Sequence, residues 1–299
     1  MHKYAVVDIG TNSVRLMIAR VDDGCIVSEY KTLRTIRVGE GMSGHRSISS
    51  DAMKRAQITI DEYIRLCADC DNFFCFATSA VRDAQNSREF AKHIESNCGV
   101  TVDVISGEDE ALLGFAGSIV GYGGMFDIGG GSTEVILSEG KEISGFCSTS
   151  LGVVRLTEKF ITQHPINEKE FLNLKNHLQN ELQAVKKKLS SFPPELLIGT
   201  AGAVTTLAAL KNNIYPYDPE KIHTSIFSRE EAESILADLK SKSLSERLAL
   251  KPLEPGREDL IIAGIVIVLE TMRAFKCESL TVSEYSLREG IILKAVNSI

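Results

Sequence analysis

The chain has 299 residues, 43% of them hydrophobic and 24% charged, a globular composition that excludes a disordered, collagen-like or coiled-coil protein. At about 150 residues per domain, this length predicts two domains or one large one. Its 33 Lys and Arg against 40 Asp and Glu give a net charge of -7. Because that charge repels nucleic acid and anionic membranes, we expect neither as a partner, and a polyanionic ligand would need a local site.

The longest apolar run, residues 260–269, is about half the length of a bilayer span and is expected to be a buried core element. The N-terminal residues have neither the apolar region nor the cleavage site of a signal peptide. The seven cysteines are odd in number and scattered, which fits reduced thiols. We therefore expect a cytoplasmic protein. Cys67 and Cys70 have C-x-x-C spacing, but no second pair follows, so a zinc site is not expected.

The first part of the chain is predicted to form an antiparallel meander followed by alternating helices and strands. In order, the elements are three strands between residues 4 and 34 with turns at 10–12 and 22–24, a helix after Ser49, a strand at 73–77, a helix at 88–97, a strand at 100–105 and a helix from Ser106 toward Gly121. We expect Ser49 and Ser87 to cap the first two helices and Gly99 to end the second. Ser106 and Asp109 have the spacing of a capping box.

After residue 121 the same pattern starts again. Strands are predicted at 125–127, 133–137, 143–149 and 196–198, and helices at 153–160, 168–189 and 204–210. The lysines at 186–188 should form a solvated helix end. The repeat is literal at one place, since residues 8–13 and 127–132 share the pattern D-I-G-x-x-S, each between two short strands. This repetition indicates an internal duplication.

The repeated turn has the chemistry of a phosphate site. A strand that ends in Asp-Ile-Gly before small residues exposes backbone N–H groups and a hydroxyl in a concave nest that suits phosphate oxygens. The Asp would repel a phosphate directly, so it implies a bridging divalent cation. One such turn alone is more often a simple hairpin, but two copies in equivalent contexts favour a phosphate site between two domains.

A third glycine-rich turn, residues 199–203, lies between a predicted strand and a predicted helix. A helix N-terminus at this place suits an anion or a nucleotide. Close packing of the helix on the strand explains the glycines equally well.

The chain resembles the exopolyphosphatase/guanosine pentaphosphate phosphatase (Ppx/GppA) family of the actin-like ATPase superfamily, in its short two-domain form. The residues that carry the resemblance are 7–16, 38–41, 77–84, 105–111, 127–134 and 286–290, which span nearly the whole chain in family order. The resemblance implies an α/β fold of two actin-like, ribonuclease H-like domains flanking an active-site cleft. Residues 1–121 with 284–299 would form the first domain and residues 122–283 the second.

The resemblance also implies residue roles. Glu110 aligns with the family's proposed general base, although without the resemblance the acids at 108–110 would simply complement the positive end of a helix. Asp127 and Glu134, with Asp8 from the first turn, would hold a divalent metal, expected to be Mg2+. The residues expected to bind substrate are Thr11, Asn12, Ser13, Arg15, Arg82, Gly129, Gly130, Gly131, Ser132, Gly202 and Arg257.

Three of these arginines have alternative interpretations. Arg82 offers bidentate phosphate contacts that Lys cannot, but a surface ion pair with Asp83 or Glu89 is a common alternative. Arg15 lies within an otherwise apolar strand, which predicts either a ligand or a buried partner. Arg257 is expected at a helix start, facing outward, where it is equally a substrate contact or part of a capped helix.

The expected activity is the metal-dependent removal of the terminal phosphate of inorganic polyphosphate, by water that Glu110 activates. The close alternative is hydrolysis of guanosine pentaphosphate, or binding of guanosine tetraphosphate. A small-molecule kinase is less favoured, because 299 residues leave little sequence for an acceptor pocket and an adenine site. An actin-like filament protein lacks support, since no apolar segment for assembly is evident. Whether the chain forms a homodimer is left open by the sequence.

Overall fold

The computed structural model describes residues 2–22, 25–42, 46–118, 123–140, 142–189, 194 and 196–297. By its contacts the chain divides into two compact units, a first unit of Met1–Gly117 with Leu287–Ile299 and a second unit of Ser118–Ser286. The predicted turn at residues 23–24, the helix end at Gly121 and the domain boundary at 121/122 lie outside the described residues.

The strands of the described residues form a five-stranded and a six-stranded sheet. In chain order they are β1 (Lys3–Ile9), β2 (Ser13–Asp22), β3 (Cys25–Thr35), β4 (Asn72–Ala77), β5 (Asp103–Val104), β6 (Gly123–Ile128), β7 (Thr133–Glu139), β8 (Glu142–Thr149), β9 (Leu197–Thr200), β10 (Ile226–Ser228) and β11 (Ser279–Ser283).

The helices cover most of the remaining described chain. In order they are α1 (Ser50–Leu66), α2 (Ser79–Asp83), α3 (Ser87–Cys98), α4 (Gly107–Gly117), α5 (Val153–Phe160), α6 (Glu168–Lys188), α7 (Gly202–Lys211), α8 (Pro219–Ile222), α9 (Arg229–Lys240), α10 (Leu244–Leu248), α11 (Ile261–Ala274) and α12 (Leu287–Asn297).

The two sheets repeat one topology. The first has the order β3-β2-β1-β4-β5 and the second has β8-β7-β6-β9-β11, with β10 added antiparallel at its edge. In each sheet the first three strands are antiparallel and the next two run parallel to the central strand, β1 or β6. The predicted meanders, the α/β fold class and the internal duplication are therefore confirmed.

The helix caps follow the sequence only in part. Ser49 caps α1, since its side chain accepts a hydrogen bond from Ala52 N, and Gly99 ends α3 in the left-handed conformation with φ 72°. The prediction that Ser87 caps α3 was wrong: Asn86 is the N-cap residue, and α3 begins at Ser87. Asn86 makes no capping bond because its side chain is bonded to both backbone polar groups of Ile48.

One predicted strand is much shorter than expected. The run 100–105 alternates apolar and polar residues, but only residues 103–104 form β5, because they pair with the last two residues of β4 and that strand ends at Ala77. Val102 is buried in the core of the first unit instead. Val102 is therefore buried by side-chain packing and not by pairing in a longer strand.

The predicted core element at 260–269 is confirmed. Residues 261–272, within α11, are all buried, and the core of the second unit packs around them. An apolar helix with no polar face is expected where it is surrounded by other elements. Among the described residues, no helix combines the length and the apolar character needed to cross a membrane.

In the first unit, α4 and α12 approach each other through Gly290. A Cβ atom on Gly290 would lie 1.8 Å from the backbone oxygen of Leu113 in α4. No side chain can give way there, because the neighbouring atom belongs to the main chain. The close approach of the two helices therefore requires glycine at this position.

We predict that Gly290→Ala lowers the free energy of unfolding by about 1–3 kcal/mol, the usual cost of overpacking. The helices would have to separate to admit the methyl group. Urea denaturation followed by circular dichroism measures the effect, and an unchanged midpoint would contradict the described packing of α4 on α12.

Candidate active site

The two D-I-G-x-x-S turns have the same backbone geometry. In the first, Gly10 N donates to Ser13 O at 3.0 Å, and in the second, Gly129 N donates to Ser132 O at 2.9 Å. A Cβ on Gly10 or Gly129 would lie 3.2 Å from the oxygen it faces. Both turns follow the central strand of their sheet, so the sequence repeat is also a structural repeat.

The turns contain buried polar atoms without a partner. Thr11 Oγ1 and Asn12 Oδ1 in the first turn, and Ser132 Oγ in the second, are buried and make no hydrogen bond within the protein. Buried polar groups are normally hydrogen-bonded, and leaving one unsatisfied costs about 1–3 kcal/mol. These atoms are therefore suited to a ligand that supplies the missing partners.

Two further residues of the first unit complete its turn, and sequence reasoning assigned neither to the site. Gly39 N donates to Thr11 O at 2.9 Å, and a Cβ on Gly39 would lie 2.4 Å from the Thr11 side chain. Ser79 follows β4, which pairs in parallel with β1, and its hydroxyl is a further buried atom without a partner. The run 38–41 therefore contributes Gly39, whose lack of a side chain leaves space for the side chain of Thr11.

The strand residues beside the two turns differ in charge. Asp8 and Arg15 are directly opposite each other in β1 and β2, whereas at the equivalent positions of β6 and β7 Asp127 is opposite Glu134. Burial raises the pKa of Asp8, although Arg15 acts in the opposite direction. Arg15 thus has a carboxylate neighbour, one of its two predicted alternatives, while the second turn has two carboxylates and no arginine at this position.

The two carboxylates of the second turn are held by serines. Asp127 accepts a hydrogen bond from Ser286 Oγ at 2.5 Å, and the buried Glu134 accepts one from Ser148 Oγ at 2.8 Å. Sequence reasoning missed both serines, although Ser148 could have been found, since it lies opposite Glu134 in the β7–β8 ladder.

This arrangement fits a divalent cation. Opposed carboxylates in a ladder repel each other, and burial increases the cost. Mg2+ is commonly held by one or two protein carboxylates, with water and substrate phosphates completing its coordination. Among the described residues no group of three His, Cys, Asp or Glu side chains is placed to hold a metal ion, and the opposed pair of Asp127 and Glu134 is the candidate for one. The role of Asp8 as a ligand stays a prediction.

In the first unit, the predicted base and the predicted arginine form an ion pair. Arg82 Nη1 lies 2.8 Å from Glu110 Oε2 and donates to the backbone oxygen of Ile105 at 3.2 Å. Asp83, the expected surface partner, is 3.9 Å from Arg82 Nε and so a weaker contact. With 14% of its side chain exposed, Glu110 is held in place and still reaches solvent.

Arg257 does not face outward as predicted. Only 15% of its side chain is exposed, and its Nε lies 2.7 Å from Glu254 Oε2. The guanidinium lies against the third glycine turn: a Cβ on Gly202 would be 1.7 Å from Arg257 Nη1. The Arg257 side chain turns inward because glycine at residue 202 leaves the space that the guanidinium fills.

The third turn also belongs beside the second. Strand β9 runs parallel to β6, with Thr200 paired to Asp127, so the turns that follow these strands emerge at the same sheet edge. The second turn, Gly202 and Arg257 therefore lie together at one edge of the second sheet. All of them were predicted to bind substrate.

The family of the chain follows from comparison with known proteins. The model of the Ppx/GppA phosphatase family matches residues 17–299. The chain belongs to this family. It is thus a phosphoanhydride hydrolase of the Ppx/GppA group, with the two-domain actin-like fold.

Three relatives illustrate the range of the Ppx/GppA family. The chain is 31% identical to exopolyphosphatase 2 of Mycobacterium tuberculosis, over 97% of this chain and 98% of that protein. It is 33% identical to the bifunctional 3-dehydroquinate synthase/phosphatase of Fusobacterium nucleatum, of which it spans only 46%. It is 26% identical to the guanosine-5'-triphosphate,3'-diphosphate pyrophosphatase of Vibrio cholerae, of which it spans 60%.

Solved structures of the family cover the whole chain. The Aquifex aeolicus Ppx/GppA member has a TM-score of 0.82 at 30% identity, with 99% of this chain and 98% of that chain covered. An exopolyphosphatase from Cytophaga hutchinsonii has a TM-score of 0.92 at 25% identity, with 100% and 99% covered.

We predict that Gly202→Ala raises the KM for a phosphoanhydride substrate about tenfold or more, the loss expected when a charge-assisted contact is removed. The new methyl group would displace the Arg257 guanidinium, so Arg257→Gln should have a similar effect. The KM of the double variant should then be no higher than that of either single variant, because both substitutions remove the same contact. Phosphate-release kinetics at varied substrate concentration measure this, and full additivity would contradict the coupling.

Proposed function

We propose that the protein removes the terminal phosphate of inorganic polyphosphate by metal-dependent hydrolysis. The observation that supports this most is the pair of equivalent glycine turns whose polar atoms lack protein partners, beside two opposed carboxylates in the second unit. Such turns suit the oxygens of a phosphate chain. The exopolyphosphatase 2 relative, matched over almost its full length, is named for this substrate.

The residues of the second turn would bind the substrate together with the cation. Backbone groups of Gly129, Gly130 and Gly131 and the hydroxyl of Ser132 are the candidates for phosphate contacts. Asp127 and Glu134 would hold the metal, expected to be Mg2+. When bound, the cation would neutralise the charge of the transferring phosphoryl group.

The first unit would supply the proton acceptor. Hydrolysis needs a group that orients the attacking water and accepts its proton. Glu110 is the candidate, since its carboxylate is held by Arg82 at 2.8 Å and is partly exposed. Thr11, Asn12 and Ser13 would bind phosphate oxygens at the first turn, and the planar Arg82 guanidinium suits a phosphate as well as the carboxylate.

A second candidate substrate is guanosine pentaphosphate. The Vibrio cholerae relative is named for a guanosine substrate, although this chain spans 60% of its length. Both candidates carry a terminal phosphoanhydride, so the same chemistry serves either. The observation that favours this candidate is a pair of rings in the second unit: those of His223 and Tyr285 have centroids 4.4 Å apart, and Ser286, the next residue, donates to Asp127.

We predict that Glu110→Gln lowers kcat for polyphosphate hydrolysis about 10²- to 10⁴-fold, the usual contribution of a general base. The amide keeps the size of the side chain but cannot accept the proton. Phosphate release is measured with Mg2+ on short and long polyphosphate, guanosine pentaphosphate and ATP.

Glu108→Gln is the matched control, because Glu108 is an exposed acid one residue into the same helix and its loss should leave kcat within about twofold. Wild-type activity in Glu110→Gln would exclude Glu110 as the base. Consumption of ATP only in the presence of an acceptor would instead indicate a kinase.

A further inference from the structure

One arginine of the second unit is completely buried. Arg247 is 0% exposed and lies in the short helix α10, which Ser243 caps. Its guanidinium donates three hydrogen bonds: Nε to Leu239 O at 2.9 Å, and Nη1 to Glu258 O at 3.0 Å and to His164 Nδ1 at 2.9 Å. Arginine is rarely found fully buried unless it is paired with an opposite charge, and none of these three acceptors is a carboxylate.

Stability alone is a poor explanation for this arginine. Burial lowers the pKa of the Arg247 guanidinium, although Asp259 acts in the opposite direction. Its Nη2 atom is buried without a hydrogen-bond partner among the described residues. Since well-packed apolar side chains often replace buried charges without loss of stability, the arginine is better explained by what its hydrogen bonds hold in place.

The three acceptors belong to three separate segments of the second unit. Leu239 is in the last turn of α9, His164 follows α5, and Glu258 precedes α11. Burial and the charge of Arg247 lower the pKa of His164, which favours the neutral imidazole that this bond requires. The planar guanidinium therefore joins the end of a helix and two loops at fixed relative positions.

One of these loops, the segment 254–260, brings Arg257 to the third glycine turn. Arg257 contacts Glu254 of the same segment, through its backbone N at 3.2 Å and through its Nε at 2.7 Å. These contacts shape the segment locally but do not tie it to a neighbouring helix. The bond from Arg247 to Glu258 O does so, at the residue that follows Arg257.

We propose that Arg247 is a positioning residue for substrate binding: by holding the segment 254–260, it sets the Arg257 guanidinium against the third glycine turn. This inference rests on the proposed role of Arg257 in binding a substrate phosphate. Bidentate contacts with phosphate depend on the orientation of the planar guanidinium, and a displacement of about 1 Å can cost about 10²-fold in activity. Arg247 therefore affects substrate binding without contacting the substrate.

A double-mutant cycle with Arg257 tests this role. KM and kcat for phosphate release from polyphosphate or guanosine pentaphosphate, with Mg2+, are measured on the wild type, Arg247→Met, Arg257→Gln and the double variant. Arg247→Met should raise KM about fivefold or more and change kcat less than about twofold, because it weakens binding and leaves the reacting groups in place. In the Arg257→Gln background it should change KM less than about twofold, since both substitutions act on one contact.

Hydrogen exchange followed by mass spectrometry tests the anchoring independently of activity. The amides of residues 254–260 should exchange about fivefold or more faster in Arg247→Met, because the segment loses a hydrogen bond to the rest of the unit. Arg273→Met is the matched control. This arginine of the second unit pairs with Glu233 and Glu270, and its loss should leave KM and the exchange of residues 254–260 unchanged.

Unchanged KM in folded Arg247→Met, beside a raised KM in Arg257→Gln, would overturn the proposal, and so would unchanged exchange of residues 254–260. An equal further rise of KM in the Arg257→Gln background would overturn it as well. If Arg247→Met does not fold, Arg247→Lys replaces it, because a single ammonium cannot reproduce the planar set of bonds and should raise KM in the same way. Wild-type KM in Arg257→Gln would instead contradict the phosphate contact of the proposed function, while faster exchange in Arg247→Met would still support the anchoring.

Discussion

Two carboxylates face each other across adjacent strands of the second unit, and the proposed chemistry depends on this pair. Asp127 and Glu134 are directly opposed in the β6–β7 ladder, and Glu134 is 1% exposed. Opposed like charges in a buried ladder are unfavourable unless something neutralises them. In the first unit the equivalent pair is Asp8 and Arg15, which carry opposite charges. The duplicated fold thus provides two similar turns that differ in the charges beside them.

Other polar features of the second unit lie beside this pair. Serine hydroxyls donate to both carboxylates, Ser286 to Asp127 and Ser148 to Glu134. The parallel strands β6 and β9 bring the third turn to the same sheet edge, where Gly202 makes room for the Arg257 guanidinium. Carboxylates for a cation and an arginine for phosphate are complementary parts of a site for a phosphoanhydride. A net charge of -7 is compatible with such a substrate, because the positive groups are local.

Patterns that depend on neighbouring residues were predictable from the sequence, whereas long-range contacts were not. The D-I-G-x-x-S repeat, the two meanders and the apolar helix α11 follow from local periodicity and turn chemistry, and the structure has them. The cap at Ser87 failed because Asn86 is bonded to the distant Ile48. The ion pair of Arg82 with Glu110 joins residues 28 positions apart, and no spacing rule indicates it. Likewise, nothing near Arg257 in the sequence shows that it meets Gly202.

The central claim, that Asp127 and Glu134 form a divalent-cation site, is tested most directly by metal binding without substrate. Calorimetric titration with Mg2+ or Mn2+ compares the wild type with Glu134→Gln, and with Glu139→Gln, an exposed acid on the same strand, as control. The account predicts that Glu134→Gln weakens binding about tenfold or more, as the loss of a charged ligand should, while Glu139→Gln binds like the wild type. Wild-type affinity in folded Glu134→Gln would contradict it.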